Sequence, residues 1–522
     1  MPTFQAPAPP IPSAFGSHHH RNGGGSISSP VNGSSYSGDG LAGSSQTGSS
    51  IHGRRASLSA TFEMSESMSV SSDDEDEVEV FVEVRLLPYA SVRPELIPTA
   101  VRALIESGDN ALLLGPLTEW EHISILQRNV EQIIVAEFDP PVPNVLLRNA
   151  HVNIHLYRPV NISENLAAEL DGDDQESVSA ATIIDLPAQS LEGLWENLIY
   201  PPPLKSTLLN MVRTSMVLGD LGVNPNIVAL NRLVLLHGPP GTGKTSLCRA
   251  LAQKLSIRLS DTYAHGKLVE INSHSLFSKW FSESGKLVQK LFSSVMEMVE
   301  REDCFVVVLI DEVESLTIAR DSFSGASEPG DALRVVNALL TQLDKLRSKT
   351  NVLVLTTSNL SHTIDKAFID RADIKEYVPP PIPEAIYWIL RTTLIELMSR
   401  GLVQQLNLPL WNMIAMSKVR AQKGEAKEGQ KAGINLARVA QECHSHGLSG
   451  RFLRRIPALA LAIHFRGRTR PRSCERWVEA FFKVIENEVS DRRKIAREEV
   501  STIDSKNIPI NLSPSIMSSG QP

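Results

Sequence analysis

Gly238-Pro239-Pro240-Gly241-Thr242-Gly243-Lys244-Thr245-Ser246 sets glycines, a lysine and a hydroxyl at the spacing Gly-x-x-x-x-Gly-Lys-Thr, and that combination suits a polyphosphate. The glycines let backbone N–H groups turn inward around the anion, Lys244 reaches the β- and γ-phosphates, and Thr245 offers its hydroxyl to Mg2+. A second group lies downstream, where the apolar run Phe305-Val306-Val307-Val308-Leu309-Ile310 ends in Asp311-Glu312. A strand of that kind delivers Asp311 to a Mg2+ coordination sphere and leaves Glu312 to polarise a water. A third run, Asn351 to Thr357, ends in Ser358-Asn359 and suits Asn359 to a place beside that water. The chemistry implied is binding of a nucleoside triphosphate with Mg2+ and its hydrolysis, with separate carboxylates for the two tasks.

These groups converge only if particular elements carry them. Leu233-Val234-Leu235-Leu236 reads as a buried strand, and Leu247, Ala250, Leu251 and Leu255 follow at helical spacing, so strand, phosphate loop and helix occur in the required order. The runs Phe305–Ile310 and Val352–Leu355 that lead to Asp311 and Asn359 are apolar, as strands covered on both faces must be. An Asp-Glu strand followed by a strand ending in Asn points to P-loop ATPases with an extra strand between the two nucleotide motifs. Upstream, Leu194-Trp195-Glu196-Asn197-Leu198-Ile199-Tyr200 precedes Pro201-Pro202-Pro203 and an amphipathic pattern over 204–218. Leu198, Ile199 and Tyr200 are candidates for an adenine pocket, and ordinary core packing explains them equally well.

The chain of 522 residues, 42% hydrophobic, has enough apolar surface for two or three domains. Cys248, Cys304, Cys443 and Cys474 form no C-x-x-C pair, the usage expected of reduced thiols inside a cell. No charged segment precedes an apolar stretch at the N-terminus, and no apolar run approaches about 18 residues, so neither secretion nor membrane insertion is expected. Residues 1–77 are rich in Ser, Gly and Pro, hold 3 basic and 8 acidic side chains, and end in Asp73-Asp74-Glu75-Asp76-Glu77, the composition of a disordered tail. Most of the net charge of −8 belongs to that tail, and the nearly balanced remainder argues against broad attraction to nucleic acid. From Val78 the pattern changes: Val78 to Val84 alternates like a half-buried strand and Val145 to Tyr157 gives a second β region, so residues 78–180 are expected to form a small α+β recognition domain. The acidic stretch 169–176 reads as a linker. Residues 417–433, rich in Lys, Glu, Gly and Gln, read as a solvated insertion, and Arg466-Gly467-Arg468-Thr469-Arg470-Pro471-Arg472 as an exposed basic loop.

Three further strings carry a resemblance. Ile271 to Lys286, containing Ser278-Lys279-Trp280-Phe281-Ser282, then Asp311-Glu312-Val313-Glu314-Ser315-Leu316, then Phe368-Ile369-Asp370-Arg371-Ala372-Asp373-Ile374-Lys375, resemble the pachytene checkpoint protein 2 (thyroid receptor-interacting protein 13) family of the AAA+ superfamily. The likeness runs from about Glu192 to about Ile495, is weak over 78–180 and is absent from the tail. It implies an α/β fold, an AAA+ P-loop ATPase core over 181–382 with a helical lid over 383–522 and a flexible C-terminal end, preceded by the α+β domain and the tail. It implies that Arg371 is an arginine finger acting on a neighbouring subunit and that Arg451, in Gly447-Leu448-Ser449-Gly450-Arg451, contacts phosphates in its own subunit. By the same resemblance Lys279, Trp280 and Phe281 form a substrate-gripping pore loop, whereas burial in a core is the reading of two adjacent aromatics taken alone. Asp321 to Asp331 is a second pore loop on this comparison. The resemblance further implies a homohexamer that uses ATP to unfold HORMA-domain proteins in part, with or without a HORMA-type adaptor, in meiotic chromosome-axis and spindle-checkpoint control, in the nucleus and also the cytoplasm. A DNA-directed AAA+ motor of the clamp-loader or initiator type is the competing class, which Trp280 and the lack of a basic body disfavour.

Overall fold

Thirteen strands lie among the described residues: Val78–Leu86 (β1), Ala111–Leu113 (β2), Gly115–Pro116 (β3), Val130–Asp139 (β4), Asn144–Leu146 (β5), Ala150–Tyr157 (β6), Leu166–Glu169 (β7), Ser179–Leu186 (β8), Leu233–His237 (β9), His265–Asn272 (β10), Cys304–Asp311 (β11), Val352–Ser358 (β12) and Ile374–Tyr377 (β13). The computed structural model describes residues 78–506 apart from 92, 94, 109–110, 161–165, 170–178, 225–226, 229–230, 274–283, 318–328 and 360–363. The expected tail over 1–77 lies outside the described residues.

β1 is the centre of the N-terminal unit, in a sheet of order β3-β4-β1-β6 in which it runs antiparallel to β4 and parallel to β6. Val80, Val82 and Val84 pack with Ile97, Val101 and Ile105 of helix Leu96–Ser107, the apolar face that the alternation predicts. The other face departs from the half-buried expectation, because Phe81 and Glu83 are buried as well. They lie against helix Lys244–Arg258, where Lys254 Nζ stands 2.6 Å from Glu83 Oε1 and Arg258 donates to Glu137 at 2.8 Å. The Arg258 guanidinium lies 3.7 Å from the Phe81 ring centroid. A polar face was buried because a second unit supplied cations for it, and single-strand periodicity carries no trace of that partner.

The main sheet has the order β13-β9-β12-β11-β10-β8-β7. β13, β9, β12, β11 and β10 run parallel to one another, and β12 is the extra strand between β9 and β11. One face is covered by helices Ser284–Val299 and Pro329–Leu346, the other by Leu204–Asp220 and Lys244–Arg258, and each has its own apolar core. β8 pairs antiparallel with β10, and β7 with β8, so the expected boundary at residue 180 falls inside the ATPase sheet. Of the stretch read as a linker, Glu169 ends β7 and residues 170–176 lie outside the described residues. Register completes the placement: Ser358 lies opposite His237 and Asp311 opposite Asn272, so the carboxyl ends of four strands line up at one edge.

The lid is helical, with Trp477, Phe481, Tyr387 and Leu436 in its core and a long helix Cys474–Lys506 across it. The solvated insertion expected over 417–433 is replaced by helices Ile414–Gln422 and Glu428–Ser445. Gly429 and Gly433 are buried, and a Cβ on Gly433 would stand 2.5 Å from Pro409 Cγ. Small residues there serve close helix packing, whereas in sequence they resemble a loop. In the basic loop, Arg472 pairs through its backbone with Val403 and lays its guanidinium 4.5 Å from the Phe465 ring centroid.

Candidate active site

β9 delivers the chain to Gly238, whose N–H donates to Ser358 O at 3.2 Å and ties the glycine-rich loop to the end of β12. Gly241 and Gly243 adopt φ of 76° and 94°, a backbone that side chains disfavour, and neighbours crowd both. A Cβ on Gly241 would meet Ser449 of the lid at 2.8 Å, and one on Gly243 would meet Tyr200 Oη at 2.7 Å. The glycines therefore set the curvature and admit the lid and the 198–200 segment to the loop. Thr242 Oγ1 donates to Pro239 O at 3.1 Å, and Pro240 is exposed at the turn. The first intrahelical bond is Leu247 N to Gly243 O, so the N–H groups of Lys244, Thr245 and Ser246 remain at the positive end of the helix for an anion.

Lys244 is 5% exposed, and its ammonium donates to Gly238 O and Pro239 O at 2.9 Å each and to Asn359 Oδ1 at 2.7 Å. Burial lowers its pKa, and the carboxylates of Glu314, Asp311 and Glu312 oppose that shift. Thr245 Oγ1 donates to Asp311 Oδ1 at 2.8 Å. Two hard oxygen ligands on one side of a phosphate loop fit Mg2+, which takes few protein ligands and fills its octahedron with phosphate and water. The Asn359 amide faces Glu312 Oε1 at 3.5 Å and the Lys244 ammonium with its oxygen, an orientation that only this pairing of donors and acceptors satisfies. The structure thus brings together the loop, Asp311, Glu312 and Asn359.

The other expected residues fall in three different places. Arg451 is the second residue of the short helix Gly450–Leu453 beside the loop, where Gly450 N donates to Gly241 O at 2.9 Å. Arg371, at the end of helix Lys366–Arg371, makes a bidentate pair with Asp344 at 2.9 and 3.0 Å. It borders Asn231, Leu233 and Val354 at the starts of β9 and β12, a strand length of about 13–17 Å from its own phosphate loop. Its guanidinium holds the Asp344 carboxyl below the usual carboxylate range. Lys279, Trp280 and Phe281 lie outside the described residues, as do residues 321–328 of the second loop. Pro329, Gly330 and Asp331 of that loop instead open helix Pro329–Leu346, a position that accepts proline because the first N–H has no partner.

Several contributors escaped the sequence reading. Glu314 accepts the Asn359 N–H at 2.9 Å, and Ser273 Oγ donates to Asp311 O at 2.5 Å. Lys205 holds the 195–198 segment by donating to Trp195 O at 2.6 Å and Leu198 O at 3.1 Å, and burial pulls its pKa down to about 8. Tyr200 Oη donates to Thr242 O at 3.1 Å, and Trp388 of the lid donates to Asn197 at 3.0 Å. The segment from Leu194 to Tyr200 therefore touches both loop and lid, and Leu198 and Tyr200 also pack against the core of that face. The available signal was a lysine one residue after Pro201-Pro202-Pro203-Leu204, which only the fold turns back onto the preceding carbonyls.

The family model described as ATPase family associated with various cellular activities (AAA) matches residues 234–380. A TRIP13-like, AAA+ ATPase lid C-terminal domain matches 382–489, and a TRIP13 N-terminal domain matches 75–161. The pachytene checkpoint protein 2 homolog of Danio rerio is 41% identical over 416 residues, covering 80% of this chain and 94% of the relative. Its counterpart in Arabidopsis thaliana is 44% identical over 392 residues, covering 73% and 83%. The solved structure of C. elegans PCH-2 superposes with a TM-score of 0.61 at 34% identity, covering 79% of this chain and 99% of the other.

Proposed function

This chain belongs to the pachytene checkpoint protein 2 family of AAA+ ATPases, and from that premise we propose that it works as a homohexameric ring that remodels HORMA-domain proteins with Mg2+-ATP. On this reading it acts at the meiotic chromosome axis and in the spindle checkpoint, in the nucleus and also the cytoplasm. The observation that carries the ring is the location of Arg371. One chain holds the loop, both carboxylates and Asn359 at a single edge, while this arginine sits at the far end of the strands on Asp344. A neighbour's arginine can supply what the chain's own cannot reach.

The residues divide the work. Loop N–H groups, Lys244 and Arg451 bind and orient the phosphates, and Thr245 and Asp311 would hold Mg2+, which when bound neutralises phosphate charge. Glu312 holds the attacking water and accepts its proton, and Asn359 fixes that carboxylate relative to Lys244. Arg371 leaves Asp344 to stabilise charge at the adjacent subunit's site. Motion of the lid passes through Trp388–Asn197 and Gly450–Gly241 to the loop, and the docked β1 face of the N-terminal unit rides on the same helix.

Two experiments test the reading. Arg371→Ala and Glu312→Gln chains, each inactive alone, should recover part of their ATP hydrolysis when mixed, because some interfaces then pair an intact base with an intact arginine. No recovery in rings shown to be mixed would rule out a trans-acting Arg371. Trp280→Ala should abolish conversion of a HORMA substrate while the melting temperature holds. A core tryptophan would instead cost about 3–5 kcal/mol on truncation, so a large drop in melting temperature would remove the pore-loop assignment.

A further inference from the structure

We propose that Thr357 is a positioning residue of the hydrolytic centre, one buried hydroxyl that sets both carboxylates of the Asp311-Glu312 pair. It occupies the penultimate position of β12 and is 1% exposed. Its Oγ1 donates to Asp311 Oδ1 and accepts the Glu312 N–H at 3.1 Å. Its own carbonyl accepts the Val313 N–H at 2.9 Å. Asp311 at the end of β11 and the two residues that follow it are thus bonded to this one threonine.

The neighbouring residue shows how specific the arrangement is. Side chains alternate along a strand, so Thr356 and Thr357 point to opposite faces of the sheet. Thr356 Oγ1 donates to Val234 O at 2.9 Å on β9, the strand that carries the phosphate loop, while Thr357 serves the turn after β11. Two adjacent hydroxyls join β12 to the two nucleotide motifs on either side of it. An apolar residue of the same shape would fill either place equally well by volume, so packing alone does not account for the hydroxyl.

The backbone of Glu312 gives the hydroxyl its task. Glu312 has φ of 55°, a conformation that non-glycine residues occupy at a cost and keep only where the surroundings hold them. The bond from its N–H to Thr357 Oγ1 is such a hold. A hydroxyl has one proton, and here it goes to Asp311, which fixes the rotation of that carboxylate. The same Oδ1 accepts from Thr245 Oγ1 at 2.8 Å, and a hydroxyl that turns a lone pair to a cation can keep donating its proton. Thr357 therefore presents Asp311 to the metal position and Glu312 to the water position from one anchor point, excluded from solvent. Groups that orient a ligating or catalytic carboxylate without touching the reactant contribute about 10–100-fold to activity or metal affinity.

This inference rests on reading Asp311 as metal ligand and Glu312 as base, and the test separates the two ideas. Full-length wild type, Thr357→Val, Thr357→Ser and Glu312→Gln are compared for kcat, KM for ATP, the Mg2+ concentration of half-maximal activity, melting temperature, and binding of a fluorescent ATP analogue in EDTA. Thr357→Val keeps the shape and loses the hydroxyl. It should lower kcat by about 10–100-fold and raise the Mg2+ requirement, with KM and binding in EDTA changed less than about threefold. Thr357→Ser should recover most of the loss. Wild-type kcat and Mg2+ dependence in Thr357→Val, beside an inactive Glu312→Gln, would overturn this inference alone. A fall of kcat, melting temperature and EDTA binding together, with no rescue by Thr357→Ser, would make the residue structural and also overturn it. Normal turnover by Glu312→Gln would remove the underlying reading whatever Thr357 does.

Discussion

Glu312→Gln is expected to lower ATP turnover by about 10²–10⁴-fold and to leave ATP binding in place. The amide keeps the volume and can still meet the Asn359 side chain, but it cannot take a proton from water. Lys244→Ala should behave differently. Its ammonium holds the carbonyls of Gly238 and Pro239 together with the oxygen of Asn359, so truncation removes the proposed phosphate ligand and unpairs three acceptors inside the site. The expected result is loss of nucleotide affinity itself. Phosphate release measured beside equilibrium binding of a labelled nucleotide separates the two cases, and near-normal turnover in Glu312→Gln would end the proposed division between a binding and a hydrolysing carboxylate.

The second large effect is expected far from the phosphates. Glu83, Lys254 and Arg258 have side chains only 6%, 3% and 7% exposed, and Glu83→Ala would leave the two cations facing a cavity where a carboxylate had been. Removing one partner of a buried ion pair costs about 3–5 kcal/mol, because the remaining charge cannot be hydrated. Arg258 retains Glu137 at 2.8 Å, whereas Lys254 retains only the exposed Glu196 at 3.4 Å, so the strain should concentrate on Lys254. The unit from Val78 to Tyr157 should then release its β1 face from helix Lys244–Arg258, seen as faster amide exchange in β1 and earlier proteolysis between the units. Because the chain has several cores, exchange at named amides is a better measure than one unfolding midpoint. Replacing both Glu83 and Lys254 by Met should restore much of the protection, since an apolar pair of similar volume carries no desolvation penalty. Unchanged exchange in Glu83→Ala would show that the ion pair does not hold the interface.

The sequence by itself determined the parts of this protein whose chemistry is local. A strand of four apolar residues, a glycine turn and Lys244-Thr245 lie within the 13 residues Leu233 to Thr245, and backbone sterics leave that string little choice of shape. The same holds for Asp311, since a strand apolar on both faces must be interior and the polar residue that ends it emerges at the edge where ligands bind, and for Asn359, which follows the buried strand begun by Val352–Leu355. Only the tertiary structure decided the rest. Arg371 appears in sequence as a basic residue between Asp370 and Asp373, and the fold pairs it with Asp344, 27 positions away, at the end of the sheet opposite its own loop. Glu83 looks like the solvent face of an alternating strand until helix Lys244–Arg258 covers it. Gly429 and Gly433 look like a loop until the backbone of Asn407 and the ring of Pro409 occupy the space a side chain would need. Thr357 looks like one more β-former until register sets it beside the turn at Glu312. In each case the deciding quantity is what lies across a gap of a few ångströms from another part of the chain. Desolvation, close packing and hydrogen-bond geometry all depend on that neighbour, and residue type and spacing along one segment do not contain it.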